Sequence, residues 1–256
     1  MGFSFAVAGK GGTGKTSLCG LTIRYLIEHK RGPVLAVDAD ANANLHSVLG
    51  VTIAATVGGL REDSLNVVKS AMQRPGGMSL EQLFEYQIQH ALIETKGFDL
   101  LVMGRPEGPG CYCAANNIIR KYMDKLARSY RFTVMDNEAG LEHLSRGTTR
   151  DTNLLLIVSD PTVRGVLTGG RIHTLAKELN LNVERSALII NRVPKEMSDQ
   201  KNLTELVKQQ GIEFAGFIPE DEQVSRYDAD GIPLVQLSPD SIALMSYFAV
   251  LDRLIP

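Results

Sequence analysis

The sequence predicts an α/β protein in which helices cover both faces of a mostly parallel, twisted sheet. Short apolar runs, rich in β-branched residues, alternate with longer amphipathic stretches along the chain. Most of these runs are apolar nearly throughout, as parallel strands covered on both faces are. A glycine-rich turn follows the first run directly, and sheets of this kind bind their ligands at the carboxyl ends of the strands.

Seven of the runs have the length and composition of strands. In chain order they are Phe3–Ala8, Pro33–Asp38, Phe98–Met103, Phe132–Asp136, Leu154–Ser159, Leu188–Asn191 and Glu213–Ile218. Four stretches between them have the apolar spacing of helices. They are Ser17–Glu28, Ile118–Ser129, Gly165–Leu179 and Asn202–Gln210.

The segment Thr56–Glu94 departs from this alternation. It contains Gly58-Gly59, Pro75-Gly76-Gly77 and a helical run over Ser79–Glu94, and the sequence predicts no strand within it. We therefore interpret residues 56–94 as a helical insertion on the ligand-facing rim of a single domain that spans residues 1–256.

Composition narrows the class of protein. A formal net charge of −2 gives no basic footprint for nucleic acid, and three cysteines are too few for a secreted disulfide framework. No apolar run approaches the roughly 20 residues that span a membrane, and the N-terminal residues lack the basic region of a signal peptide. We expect a cytoplasmic protein whose partners include neither nucleic acid nor a membrane.

The turn AVAGKGGTGKTSL after the first strand fills the phosphate-binding pattern G-x-x-x-x-G-K-[ST] with Gly9, Gly14, Lys15 and Thr16. Glycines let backbone N–H groups close around phosphate, while Lys15 is expected on the β- and γ-phosphates and Thr16 on Mg²⁺. The alternative is a glycine-rich turn without a ligand. The motif predicts a three-layer α/β/α P-loop NTPase. Its nucleotide-binding residues are expected to be Gly9, Lys10, Gly11, Gly12, Thr13, Gly14, Lys15, Thr16 and Ser17.

The second lysine of the turn gives the first family resemblance. GKGGTGKT resembles the deviant Walker A motif of the MinD/ParA/NifH group of P-loop ATPases, in which the extra lysine reaches the nucleotide of a dimer partner. The resemblance implies that Lys10 is catalytic and that the protein is a homodimer. An ordinary solvated loop lysine is the alternative.

Two acidic stretches fit the same resemblance. In VDADANANL it implies that Asp40 orients the attacking water and that Asp38 lies near Mg²⁺. In TVMDNEAG it implies that Asp136 holds Mg²⁺ through water and that the Gly140 amide senses the γ-phosphate. Either motif alone is weak, because an aspartate at the end of a strand is often only a helix cap.

The stretch LIINRVP indicates which base is bound. Asn191 offers a donor and an acceptor, which suits adenine, and the following residues, beginning with Arg192, include no Asp to read guanine. GFIPEDEQ resembles the family's Gly-x-Ile-Pro-x-Asp stretch, which implies that Pro219 lies near the base and sugar. ATP is therefore expected in preference to GTP.

GPGCYCAANN holds two of the three cysteines, Cys111 and Cys113. A disulfide between them would be strained, and one chain supplies only two of the four ligands that Zn²⁺ prefers. A two-fold dimer with this loop on its axis would supply four thiolates for Zn²⁺ or Ni²⁺. Burial as inert thiols is the alternative, and it is the prediction for Cys19 on the first helix.

A Cys-x-Cys loop beside the switch DNEAG resembles the CooC-type proteins, ATPases that help to insert nickel into carbon monoxide dehydrogenase. The resemblance implies an ATP-hydrolysing metallochaperone with that enzyme as its client. GRPEGPGCYC also looks like a cluster-binding segment of nitrogenase iron protein, but Asn137–Arg150 lacks the second cysteine. An iron–sulfur reductase and a spatial-organising ATPase of the MinD or ParA kind remain the alternatives.

Overall fold

A computed structural model of the protein describes residues 2–60, 78–104, 121–138, 151–198 and 200–256. The strands in these ranges are β1 (Phe3–Gly9), β2 (Val34–Asp38), β3 (Ile93–Glu94), β4 (Asp99–Val102), β5 (Phe132–Asp136), β6 (Asp151–Ser159), β7 (Asn182–Val193) and β8 (Glu213–Pro219). The helices are α1 (Lys15–Glu28), α2 (Leu45–Leu49), α3 (Leu80–Ala91), α4 (Val163–Glu178), α5 (Gln200–Gln209), α6 (Glu222–Ala229) and α7 (Ile242–Leu254). Residues 57–60 and 121–127 are also helical, and Leu234–Gln236 form a 3-10 turn.

The strands of the described residues form one eight-stranded sheet in the order β3-β4-β2-β5-β1-β6-β7-β8. Every pairing is parallel except that of β3 with β4. β1 lies between β5 and β6, while the next strand along the chain, β2, lies on the far side of β5. Such a change of direction opens a crevice at the carboxyl end of β1, where the glycine-rich turn begins.

Two apolar clusters cover the two faces of the sheet and confirm the predicted three layers. On one face, Phe5 and Val7 of β1 pack with α1 and α7. On the other, Ala6 and Ala8 pack with Val166 of α4 and with α5. This alternation follows from the period of two in a strand, and it places α1 directly beneath the end of β5. In the described part of the chain, no helix is both long and apolar enough to cross a membrane.

The predicted strands are all present, but two features of the sheet differ from the sequence prediction. β7 has twelve residues and is longer than the predicted Leu188–Asn191. Its first part, Asn182–Ser186, is mostly polar and partly exposed, so it falls outside the apolar run on which the prediction was based. The prediction of no strand within Thr56–Glu94 is wrong, since Ile93–Glu94 pair antiparallel with β4. A strand of two residues is too short for a periodic pattern and depends on its neighbour.

The rest of the segment 56–94 is helical where the structure describes it. Residues 57–60 are helical, and α3 begins after Ser79, whose hydroxyl accepts from the Gln82 N–H at 3.1 Å while the Gln82 side chain accepts from the Ser79 N–H at 2.9 Å. This reciprocal capping box fixes the start of α3. Residues 61–77 lie outside the described ranges, and the rim insertion stays a prediction.

Candidate active site

The glycine-rich turn has a backbone that side chains would not permit. Gly9, Gly12 and Gly14 have φ values of +154°, +79° and +92°. A Cβ atom at Gly9 would lie 2.3 Å from the Val158 carbonyl oxygen, and one at Gly14 would lie 2.5 Å from the Asn191 side-chain nitrogen. The turn therefore depends on glycine for both its conformation and its close packing against β6 and β7.

The two lysines of the turn occupy different surroundings. The Lys15 side chain is only 8% exposed, and its ammonium donates to the Lys10 carbonyl at 3.3 Å. The Thr13 hydroxyl donates to the same carbonyl at 2.9 Å, which closes the turn on itself. Lys10 itself is exposed. The separate roles predicted for them, Lys15 on its own nucleotide and Lys10 across a dimer interface, fit this difference.

The end of β7 braces the turn through two contacts that the sequence did not predict. The Asn191 amide nitrogen donates to the Thr13 carbonyl at 2.9 Å, and an Arg192 guanidinium nitrogen donates to the Gly12 carbonyl at 3.0 Å. Arg192 has a left-handed backbone (φ +57°), which is uncommon for a residue other than glycine. A side-chain amide has a second hydrogen and an oxygen besides the hydrogen donated to Thr13, so this bond is compatible with the predicted contact with adenine.

Two buried carboxylates stand side by side at the carboxyl ends of neighbouring strands. Asp38 of β2 and Asp136 of β5 are register partners, and their exposures are 0% and 1%. Burial raises the pKa of Asp136 to about 7, against the opposing effect of the nearby Thr16 hydroxyl and Lys15 ammonium. Neither Asp136 carboxylate oxygen makes a full hydrogen bond with the described residues. A buried carboxylate beside Thr16, without a full hydrogen bond from the described residues, fits the oxygen-rich shell that Mg²⁺ requires.

The Asp38 carboxylate, by contrast, is already bonded to the chain that follows it. One oxygen accepts from the Asp40 N–H at 3.1 Å and the other accepts from the Leu45 N–H at 2.9 Å. Burial raises the pKa of Asp38 to about 6, although both hydrogen bonds act in the opposite direction. Asp40 is half-buried, and its carboxylate accepts from the Asn42 N–H at 2.8 Å.

Cys19 lies beneath these carboxylates on α1. It is fully buried, and its thiol donates to the Met135 carbonyl at 3.6 Å. Burial, followed by the charges of Asp136 and Asp38, raises the pKa of this thiol well above its usual value. Its predicted place in the core is confirmed, and its thiol is protonated at neutral pH.

A cavity of about 310 Å³ adjoins the turn between α1, the end of β7 and α6. Its lining includes Ser17, Asn191, Arg192, Pro219, Ser225 and Asp228. The volume is at the lower end of the range for small-molecule sites. The cavity therefore brings together Asn191 and Pro219, which were predicted to lie near the base, and Arg192, which was predicted to bind the nucleotide.

Asp221 shapes the wall of this cavity, a role that the sequence motif does not reveal. Its carboxylate accepts from the Gln223 N–H at 2.9 Å, the Ser241 hydroxyl at 2.6 Å and the Ala243 N–H at 3.1 Å. One side chain thus caps the amino end of α6 and joins it to the amino end of α7.

Three predicted site residues, Cys111, Cys113 and Gly140, lie outside the described residues. Across the ranges that the structure does describe, no group of three or more His, Cys, Asp or Glu side chains is arranged to hold a metal ion. The thiolate site between two subunits stays a prediction.

Comparison with known protein families gives a match over most of the chain. Residues 4–234 match the model of the CobQ/CobB/MinD/ParA nucleotide binding domain. An ATP-binding protein of Methanocaldococcus jannaschii is 39% identical over 98% of this chain and 97% of the relative. The carbon monoxide dehydrogenase accessory protein CooC of Rhodospirillum rubrum is 30% identical over 98% and 97%. The septum site-determining protein MinD of Bacillus subtilis is 24% identical over 97% and 87%.

Solved structures share the fold at lower identity. MinD from Pyrococcus horikoshii, complexed with Mg-ADP, superposes with a TM-score of 0.70 at 19% identity and covers 100% of this chain and 96% of that one. A chain of the MinC:MinD cell division protein complex of Aquifex aeolicus superposes with a TM-score of 0.70 at 21% identity, with 99% of this chain and 95% of that one covered. At these identities the likeness concerns the fold.

Proposed function

Because the chain belongs to the CobQ/CobB/MinD/ParA family of P-loop ATPases, we propose that it uses ATP hydrolysis to assist the assembly of a metal centre in a client enzyme. The client class is that of carbon monoxide dehydrogenase, and the cargo is Ni²⁺ or a similar thiophilic ion. The observation that carries this proposal is the 30% identity to CooC over nearly the full length of both chains. The Cys-x-Cys pair at Cys111 and Cys113 supplies ligands of the right chemistry.

The hydrolytic step is assigned to residues that the fold brings together at the carboxyl ends of β1, β2 and β5. The turn amides and Lys15 hold the phosphates, and the base occupies the cavity beside Pro219. Thr16 and, through water, Asp136 would hold Mg²⁺, which would supply positive charge to the phosphates. Asp40 orients the attacking water. This assignment is supported by the buried oxygens of Asp136, neither of which accepts a full hydrogen bond from the described residues.

The assembly step is assigned to a homodimer. Exposed Lys10 reaches the nucleotide of the partner subunit and draws the two copies together when ATP is bound. Four thiolates, Cys111 and Cys113 from each copy, then hold the cargo ion, and hydrolysis opens the dimer for transfer to the client. Zn²⁺ also satisfies four thiolates, so cellular supply decides which ion is carried.

The test is metal content per chain, measured together with molar mass in the presence and absence of ATP. We expect about one ion per two chains, and we expect the change of Cys111 and Cys113 to Ser to abolish metal-promoted dimerisation while ATP binding is kept. Cys19→Ala is the matched control, because the Cys19 thiol is sealed in the core. If the double variant dimerises with metal at wild-type affinity, the thiolate site is refuted.

A spatial-organising ATPase is the second candidate, favoured by the MinD relative that aligns over 97% of this chain. Against it, α7 uses six apolar residues for the core: Ala243, Leu244, Tyr247, Val250, Leu251 and Leu254. Co-sedimentation with anionic vesicles in the presence of ATP would favour this candidate. An optical spectrum after anaerobic purification tests the iron–sulfur reductase, whose cluster would be coloured.

A further inference from the structure

The loop between β2 and α2 closes on a single carboxylate. Asp38 stands at its start, and its two oxygens accept from backbone N–H groups two and seven residues later, at Asp40 and Leu45. Asp38 is 0% exposed; its bond from Leu45 is buried and its bond from Asp40 is partly buried, so water replaces them poorly. The carboxylate therefore fixes both the first turn of the loop and its return to α2.

Both ends of this loop are anchored in the body of the protein. The Asp38 carbonyl accepts from the Met103 N–H at 2.8 Å, and Leu45 is fully buried in the core. The Val48 side chain of α2 packs so tightly on α1 that a Cβ atom at Gly20 would lie 2.2 Å from it. The ends of the loop therefore cannot shift without disturbing the core. Only the residues between them need a further restraint.

The interior of the loop carries Asp40. Its N–H is taken by Asp38, its carbonyl accepts from the Ala43 N–H at 3.0 Å, and its carboxylate accepts from the Asn42 N–H at 2.8 Å. Ala43 has a left-handed backbone (φ +52°), which turns the chain sharply toward α2. The orientation of the Asp40 side chain therefore depends on a backbone that Asp38 restrains.

Asp136, the register partner of Asp38, has the opposite arrangement. Its two oxygens are buried, and neither accepts a full hydrogen bond from the described residues, although the Thr16 hydroxyl and the Cys19 thiol lie close by; both oxygens of Asp38 accept from the loop. We infer that these carboxylates divide two tasks: Asp136 serves the metal, and Asp38 is a positioning residue that clasps the loop and holds Asp40 in place for hydrolysis. This inference rests on the proposed hydrolytic role of Asp40.

Substitution of Asp38 by Asn tests the clasp with little change in size. One acceptor becomes an amide donor that meets a backbone N–H, so one of the two hydrogen bonds is lost. We expect the turnover number to fall about tenfold or more, because a small misplacement of a catalytic group is costly. The KM for ATP and the half-saturating Mg²⁺ concentration should stay within about twofold of wild type. Asp136→Asn is the matched control, and it should raise the Mg²⁺ requirement.

A double-mutant cycle separates positioning from metal binding. In an Asp40→Ala background, Asp38→Asn should cause no further loss of turnover, because it acts through Asp40. A further loss there, or a raised Mg²⁺ requirement for Asp38→Asn alone, would overturn the inference.

Hydrogen exchange of the full chain without nucleotide gives a readout that is independent of activity. The peptide covering residues 39–45 should exchange faster in Asp38→Asn than in wild type, and the β5 peptide should not. An unchanged 39–45 peptide would overturn the proposed role of Asp38.

A second comparison uses wild type alone. The Asp40 and Leu45 amides should exchange more slowly than the Ala41 amide between them, and equal rates would also contradict the proposed role of Asp38. If wild type hydrolyses no ATP, the proposed function fails, while exchange still decides on the clasp.

Discussion

Replacing Asp221 by Ala should destabilise the protein, because its carboxylate joins the amino ends of α6 and α7. The carboxylate is 8% exposed and accepts three hydrogen bonds, from Gln223, Ser241 and Ala243. Loss of the cap on α6 costs about 1 kcal/mol, and an unsatisfied buried N–H at α7 adds about 1–3 kcal/mol. We expect the free energy of unfolding to fall by roughly 2–4 kcal/mol.

The dependence of this difference on pH gives a second check. Burial opposes the ionisation of Asp221, but the hydrogen bonds from Ser241, Ala243 and Gln223 outweigh burial and leave its pKa below the usual value. A lowered pKa in the folded state stabilises the protein above the pKa of the unfolded chain, about 3.9, and this contribution is lost as the pH falls through the folded pKa. The difference between wild type and Asp221→Ala should therefore be constant from pH 7 to about pH 5 and shrink only in stronger acid.

Urea unfolding at several pH values, followed by circular dichroism without nucleotide, measures both effects. Asp230→Ala is the matched control, since Asp230 is an exposed residue at the other end of α6 and should change stability by less than about 0.5 kcal/mol. The reasoning is refuted if Asp221→Ala loses no more than this control, or if the difference grows as the pH falls from 7 to 5.

Two further predictions concern the phosphate-binding turn. Lys10→Ala should keep ATP binding and lose turnover, whereas Lys201→Ala on α5 should match wild type in both; unchanged hydrolysis in Lys10→Ala would contradict its role toward the partner subunit. Gly14→Ala should weaken ATP binding by at least about tenfold, because the added Cβ meets the Asn191 amide and the left-handed backbone is strained. Calorimetric titration with ATP measures this, and wild-type affinity would show that the turn adapts.

The sequence predicted the buried sheet well, because a strand covered on both faces leaves a continuous apolar run. β5 was predicted with its observed bounds, Phe132–Asp136. The polar part of β7 and the two-residue β3 contain no such run. They are strands because each pairs with a neighbouring strand, and that pairing is not visible in the local sequence. α6 has no buried residue, so no apolar run marks it in the sequence, and the cap from Asp221 fixes where it begins.

The candidate site was predicted as a set of residue types, while its internal contacts were not. The sequence motifs indicate that Asp38 and Asp136 each end a strand. They do not show that the two carboxylates have different hydrogen-bond partners. The difference between them arises from what surrounds each carboxylate: backbone N–H groups reach the first and none of the described residues bonds fully to the second. The bond from Asn191 to the Thr13 carbonyl spans 178 residues and leaves no local signal.

The contacts of Asn191 and Arg192 with the phosphate-binding turn bear on how the protein would bind a nucleotide. Asn191 and Arg192 touch the carbonyls of the phosphate-binding turn and also line the cavity beside it. Occupancy of the cavity and the shape of the turn are therefore thermodynamically linked, because one pair of side chains takes part in both. If the base of ATP occupies this cavity as proposed, we expect inorganic triphosphate, which has no base, to lose more affinity than the base contacts alone account for.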